Sequence, residues 1–171
     1  VGQIGLRGLN PIEKQKLQLP ELPASQSRVT LLRSSENVDY TQGVFILNED
    51  WFGHNNSTIN FMTSSGDFAY RIFQTANPGK ELGCTSQFGT IFGDNMFITS
   101  KQPKDGGASI EGGRLNVVDA KTMKVKAQFT DIGGGDGRAF LGVNDSVGYI
   151  GASNGIFLFD IKNLTVGDQL K

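Results

Sequence analysis

The sequence predicts an all-β chain, a β-propeller of four-stranded antiparallel blades, and three observations lead there. Short apolar runs of strong β character recur at a constant interval, with Phe45, Phe97 and Tyr149 each 52 residues apart. Each run is followed by a second strand-like segment, a turn and a third. The 171 residues hold 23 glycines against 5 prolines, the turn-rich balance expected of many short strands. Four strands in about 50 residues suit a propeller blade better than a helical solenoid. A β-sandwich of unrelated hairpins is the competing architecture, but it does not need three units at one period.

Taken in order, residues 1–40 read as an extended leader. Pro11 to Leu17 has the composition of a helical turn or two, Pro20 and Pro23 impose extended backbone, and Arg28 to Leu32 reads as a strand. The blades are expected at about 43–75, 86–130 and 137–171. The leading apolar runs are Val44–Leu47, Met96–Thr99 and Val147–Ile150. Second strands follow at Thr58–Met62, Arg114–Asp119 and Gly155–Asp160, and third strands at Tyr70–Phe73, Lys124–Phe129 and Thr165–Leu170. Two units also show an earlier, innermost strand, Gln87–Phe92 and Arg138–Val143. The first unit lacks one unless the leader supplies it. Asp119 and Asp160 close their strands just before polar turns, where an Asp carboxylate accepts hydrogen bonds from the turn amides. Three blades are too few for a ring, which needs at least about four. The chain is therefore expected to be a fragment of a larger ring or to be completed by another chain.

Composition narrows the function. Lys and Arg total 16 against 17 Asp and Glu, for a net charge of -1, and no basic run interleaves with aromatics. Nucleic acid is not the expected partner. Cys84 is the only cysteine, so neither an intrachain disulfide nor a cysteine-rich zinc site can form from this chain. No cofactor or metal is expected. With one histidine and no clustered acids, a propeller lyase or lactonase is the least favoured function.

Binding is expected on the loops that gather at one rim of the sheets, 49–57, 75–86, 100–113, 130–137 and 152–154, because long loops on a rigid scaffold carry recognition. Trp51, Phe52 and His54 crowd the first of them. Stiff aromatics there either stack on a planar ligand or sugar or turn inward to fill the blade packing. His54 is a metal donor by type or simply a solvated loop histidine. The run Gly133 to Gly137 lets backbone approach a ligand or serves as a blade-to-blade turn; without a Walker lysine or a following helix it is not a nucleotide loop. Asp136 and Arg138 beside it, Lys101 and Asn154 complete the expected ligand-binding set. Lys104 to Gly107 reads as a mobile tip.

The opening Gly43-Val44-Phe45-Ile46-Leu47-Asn48-Glu49, followed by Trp51-Phe52-Gly53, resembles that of the Bacteroidetes surface-layer-protein-like propeller lipoproteins, related to YncE-type propellers. Gly113 to Ala120 and Asn154 to Asp160 resemble their blade repeats. The resemblance covers about 41–171, and Asp50 and His54 depart from the opening motif. It implies a non-enzymatic binding protein on the extracellular face of the outer membrane or in the periplasm. Some members of the group, of BtuG type, capture vitamin B12 and pass it to an outer-membrane transporter. Cobalamin is thus the sharpest ligand implied, within a nutrient-uptake system. The alternative is a scaffold that docks on such a transporter.

Overall fold

The computed structural model describes residues 38–50 and 53–171. The expected leader up to residue 37, including its helical and strand segments, lies outside them, as do Trp51 and Phe52.

The described residues form three antiparallel sheets in sequence order. The first holds β1 (Gly43–Asn48), β2 (Thr58–Thr63) and the two-residue β3 (Phe68–Ala69). The second holds β4 (Cys84–Phe92), β5 (Asn95–Gln102), β6 (Leu115–Asp119) and β7 (Val125–Phe129). The third holds β8 (Gly137–Gly142), β9 (Val147–Ala152), β10 (Gly155–Asp160) and β11 (Thr165–Gln169).

The 52-residue period is a true structural register. Phe97 on β5 pairs with Thr90 on β4 and Val117 on β6. Tyr149 on β9 pairs with Leu141 on β8 and Leu158 on β10. Phe45 on β1 pairs with Phe61 on β2. Strands β1, β5 and β9 are therefore equivalent, and among the described residues the first sheet has no strand equivalent to β4 and β8. The turns form as expected. Asp119 Oδ1 accepts from the amides of Lys121 and Thr122 at 3.0 Å each, and Asp160 Oδ1 from that of Asn163 at 2.9 Å.

One predicted strand is wrong. Tyr70–Phe73 does not continue the first sheet: Arg71 adopts left-handed backbone (φ 49°, ψ 45°) and starts the short helix α1 (Ile72–Ala76). The apolar pair Ile72-Phe73 looks strand-like in sequence but is buried between sheets from a helix. Burial requires only that these side chains reach the core, and one helical turn achieves that as well as a strand.

Alternation within each strand sends side chains to both faces of the sheet, and consecutive sheets bury those faces together. Ile59, Phe61 and Phe73 from the first unit meet Met96, Ile98 and Val118 from the second. Phe97, Leu115 and Val117 on the other face of the second sheet meet Phe140, Ile150 and Phe159 of the third. Val38 and Tyr40 also pack on the first of these clusters, and the Tyr40 ring meets that of Phe61 edge-on at 5.1 Å. Close approach of the second and third sheets requires Gly142, since any Cβ there would run into the Phe92 ring.

Candidate functional site

The long connections do gather at one rim, and hydrogen bonds lock them together. The Ser57 amide donates to the Gly83 carbonyl at 2.9 Å, and its hydroxyl accepts from the Ser86 amide at 2.8 Å. Asn56 spans to the loop after β5: its Nδ2 donates to the Ile110 carbonyl and its Oδ1 accepts from the Asp105 amide, each at 2.8 Å. On the opposite side are short turns, such as Asp94 to Ala120 and Ser146 to Ile161, tied by single backbone bonds of 2.9 Å.

Asp105 is the centre of the rim and corrects an expectation. The stretch from Lys104 to Gly107 is no mobile tip, because the Asp105 residue is buried. Its carboxylate accepts from the Gly53 amide at 2.7 Å, the Gly107 amide at 2.8 Å and the Cys84 thiol at 3.4 Å. A Lys-Asp-Gly-Gly run signals a turn, and the Gly107 amide is local to it, but the Gly53 amide comes from 52 residues earlier, a distance no local pattern reports. The Gly107 and Gly53 amides hold the Asp105 carboxyl below the usual carboxylate range, against the opposing effect of burial. Burial, in turn, pushes the Cys84 thiol up, and the thiol donates to Asp105.

A depressed carboxyl stabilises the fold when ionised. That contribution is complete above the unfolded value of about 3.9 and is lost as pH falls through the lower folded value. The Tm advantage of the native chain over Asp105→Asn is therefore expected to shrink as pH drops below about 4. Parallel Tm curves for the two proteins in a scanning-calorimetry pH series would remove Asp105 from this role.

Two hollows open on the rim and share Arg71. The smaller, about 160 Å³, is lined by His54, Asn55, Asn56, Arg71, Glu81 and the loop 107–110. The larger and more open one, about 720 Å³, is lined by Asn48, Glu49, Asp50, Thr58, Tyr70 and Arg71 among others. Arg71 is fixed from below: its amide donates to Asn60 Oδ1 at 2.8 Å and its carbonyl accepts from the Thr75 amide at 2.9 Å. Its guanidinium meets Glu81 at 3.3 Å with the side chain half-exposed. Glu81 is steadied in turn by Gln74 Nε2 at 2.7 Å. Arg71 and Asp50 (φ 64°) both hold left-handed backbone, which is uncommon for side chains other than glycine and concentrates at binding sites. Thr58 Oγ1 donates to Asp50 at 3.0 Å, and Gln87 Nε2 to Glu49 at 2.5 Å. Around Arg71 the rim thus presents a half-exposed guanidinium flanked by oriented carboxylates, amides and the exposed Tyr70 ring.

Of the residues expected from sequence, His54 lines the smaller hollow, and Trp51 and Phe52 lie outside the described residues. Arg138 and Asp136 pair with each other at 3.1 Å at the start of the third sheet. Asn154 donates to the Gly133 carbonyl at 2.8 Å, and its own carbonyl accepts from Gln169. That bond fastens the glycine run to the β9–β10 turn. Lys101 lies next to last in β5, where its carbonyl accepts from Arg114 Nε at 3.2 Å. Arg138, Asp136, Lys101 and Asn154 line neither rim hollow. Arg71, Glu81, Asn56 and Asp105 are not among the ligand-binding side chains the sequence singles out, although the last three lie in the expected rim loops. The left-handed turn at Arg71 was masked by an apolar strand-like context, and the other three act through partners remote in sequence.

Among the described residues, no group of three His, Cys, Asp or Glu side chains is placed to hold a metal ion. The comparison with curated proteins finds no match to this chain. A family model described as Domain of unknown function (DUF5074) matches residues 42–171, all three sheets, and the chain belongs to that family.

Proposed function

We propose that the three sheets are consecutive blades of a β-propeller and that the rim around Arg71 captures a small ligand bearing an anionic group. The observation that carries this reading is Arg71 itself. It is a half-exposed guanidinium in left-handed backbone, held by Asn60 and Glu81 at the junction of two hollows. A planar guanidinium suits carboxylate and phosphate oxygens through paired N–H donors. Tyr70 beside it offers a flat apolar surface. The larger hollow lies in the range of small-molecule sites, about 300–1,000 Å³.

In line with the resemblance of the opening motif, the protein belongs to a nutrient-uptake system at the extracellular face of the outer membrane or in the periplasm. Cobalamin, with its planar macrocycle and phosphodiester, is the sharpest ligand. Titration calorimetry of the full chain with cyanocobalamin is expected to show saturable heat, and Arg71→Ala to weaken binding at least ~10-fold, about 1.4 kcal/mol. No heat with cobalamin ends that assignment. An Arg71→Ala chain that binds as well as the native one ends the Arg71 reading for any ligand. A protein-docking scaffold, with an outer-membrane transporter as the partner, is the second reading. It is favoured by the exposed apolar residues Leu141, Ile156 and Leu170 on the third sheet.

A further inference from the structure

The larger hollow at Arg71 carries a hydrogen-bond donor that the fold does not use. Asn60 lies on β2 two residues after Thr58, so both side chains leave the sheet on the face opposite Ile59 and Phe61. Thr58 pairs across the sheet with Asn48 on β1, and all three line the hollow with Glu49, Tyr70 and Arg71. Asn60 is only 8% exposed. Its Oδ1 accepts from the Arg71 amide at 2.8 Å. Its Nδ2 has no acceptor among the described residues, and it is not one of the polar atoms sealed without a partner, which there are Gln74 Oε1 and Thr99 Oγ1. A donor placed this way discriminates sharply: a ligand that covers it must offer an acceptor or leave a buried amide unmet.

Around Asn60 the hollow offers groups of both signs. Arg71 gives one guanidinium N–H to Glu81 at 3.3 Å, and a guanidinium carries five. Glu49 is exposed and accepts from Gln87 Nε2, one of the roughly four bonds a carboxylate can take. Asp50 accepts from Thr58 at 3.0 Å. The Tyr70 ring, braced by that of Phe68 at 4.5 Å, is 58% exposed.

These groups select among ligand chemistries. A bare carboxylate or phosphate satisfies Arg71, but Glu49 and Asp50 repel it from the rest of the hollow. An ammonium group satisfies Glu49, but it only donates and leaves Asn60 Nδ2 unmet. A hydroxyl does both, accepting from an amide N–H while it donates to a carboxylate. The apolar face of a hydroxylated ring also suits the Tyr70 ring.

Resting on the reading that Arg71 takes an anionic group, we propose that the larger hollow is a carbohydrate subsite and that the ligand is an anionic sugar, a sugar carboxylate or a sugar phosphate. The anion sits on Arg71, ring hydroxyls bridge Asn60 Nδ2 and Glu49, and the ring face covers Tyr70. Asn60 is the specificity-determining residue: its oxygen holds the Arg71 backbone and its amide nitrogen reads the sugar.

The test is titration calorimetry of the full chain with glucuronate and glucose 6-phosphate, against cyclohexanecarboxylate, an anion of similar size without hydroxyls. At least one sugar is expected to bind saturably and at least ~10-fold tighter than cyclohexanecarboxylate. The tighter sugar tells carboxylate from phosphate. Glu49→Gln, at an exposed position and with the acceptor for Gln87 kept, is expected to weaken the sugar at least ~5-fold and leave cyclohexanecarboxylate unchanged. Asn60→Asp keeps the oxygen that holds Arg71 but loses the donor, and the same selective loss is expected. Arg71→Ala is expected to weaken both kinds of ligand. Cyclohexanecarboxylate bound as tightly as the sugars overturns the carbohydrate subsite and leaves the Arg71 reading standing. Sugar binding untouched by Glu49→Gln overturns it as well. So does the absence of heat from both sugars up to about 10 mM, whether or not cobalamin binds. The Arg71 reading fails separately, through ligands that bind the native chain and Arg71→Ala alike.

Discussion

Replacing Phe97 by alanine is expected to cost about 3–5 kcal/mol, a large fraction of the roughly 5–15 kcal/mol that holds an ordinary domain together. Phe97 is completely buried. Its ring stacks on Phe140 at 3.7 Å with only 5° between the planes and meets Phe159 edge-on at 5.9 Å. Truncation removes the transfer energy of the ring and leaves a hole between the second and third sheets. Those sheets cannot collapse into it, because Gly142 already brings their backbones as close as the Phe92 ring allows. The repeat supplies its own control. Tyr149 occupies the same register position but is only part-buried, so Tyr149→Ala is expected to cost about 1 kcal/mol or less. Chemical denaturation of both variants measures the difference. Equal costs would mean that the burial of Phe97 between sheets is not what stabilises the chain.

Gly112→Ala is the second large effect and acts on the rim. A Cβ at Gly112 would lie within overlap distance of the Leu82 carbonyl group and 2.5 Å from the Glu81 carbonyl oxygen. Both are backbone groups, so no rotamer change relieves the clash. Gly112 is itself pinned, its amide donating to the Pro103 carbonyl at 2.8 Å. The expected destabilisation is about 3 kcal/mol, at the upper end of overpacking costs. The displacement moves Glu81, the carboxylate that positions Arg71, so ligand affinity should fall with stability. Gly106→Ala in the same loop meets nothing within 4 Å and is expected to stay within about 0.5 kcal/mol of the native chain. Thermal melts of the pair decide the matter: a Gly112→Ala chain as stable as Gly106→Ala would show that the loops are not in tight contact.

The all-β class, the 52-residue repeat, ten of the eleven strands among the described residues and the Asp-closed turns are legible in the sequence because their causes are local. A β-branched or aromatic run between turn residues has few other solutions, and Asp119 and Asp160 bond to amides within three residues. Even the face each strand buries follows from alternation once its register is known. What only the tertiary structure decided is which connections meet. Asp105 is anchored by Gly53 and by Asn56 across 52 and 49 residues. Arg71 reaches the rim through a left-handed turn hidden in an apolar run. Of the expected partners, Asp136 and Arg138 pair with each other and Asn154 bonds to Gly133 elsewhere on the rim, while Lys101 meets Arg114 through its backbone carbonyl. Strand formation depends on each segment's own alternation and turn chemistry. A site depends on where separate loops come to rest once the sheets have packed, and no single segment carries that information.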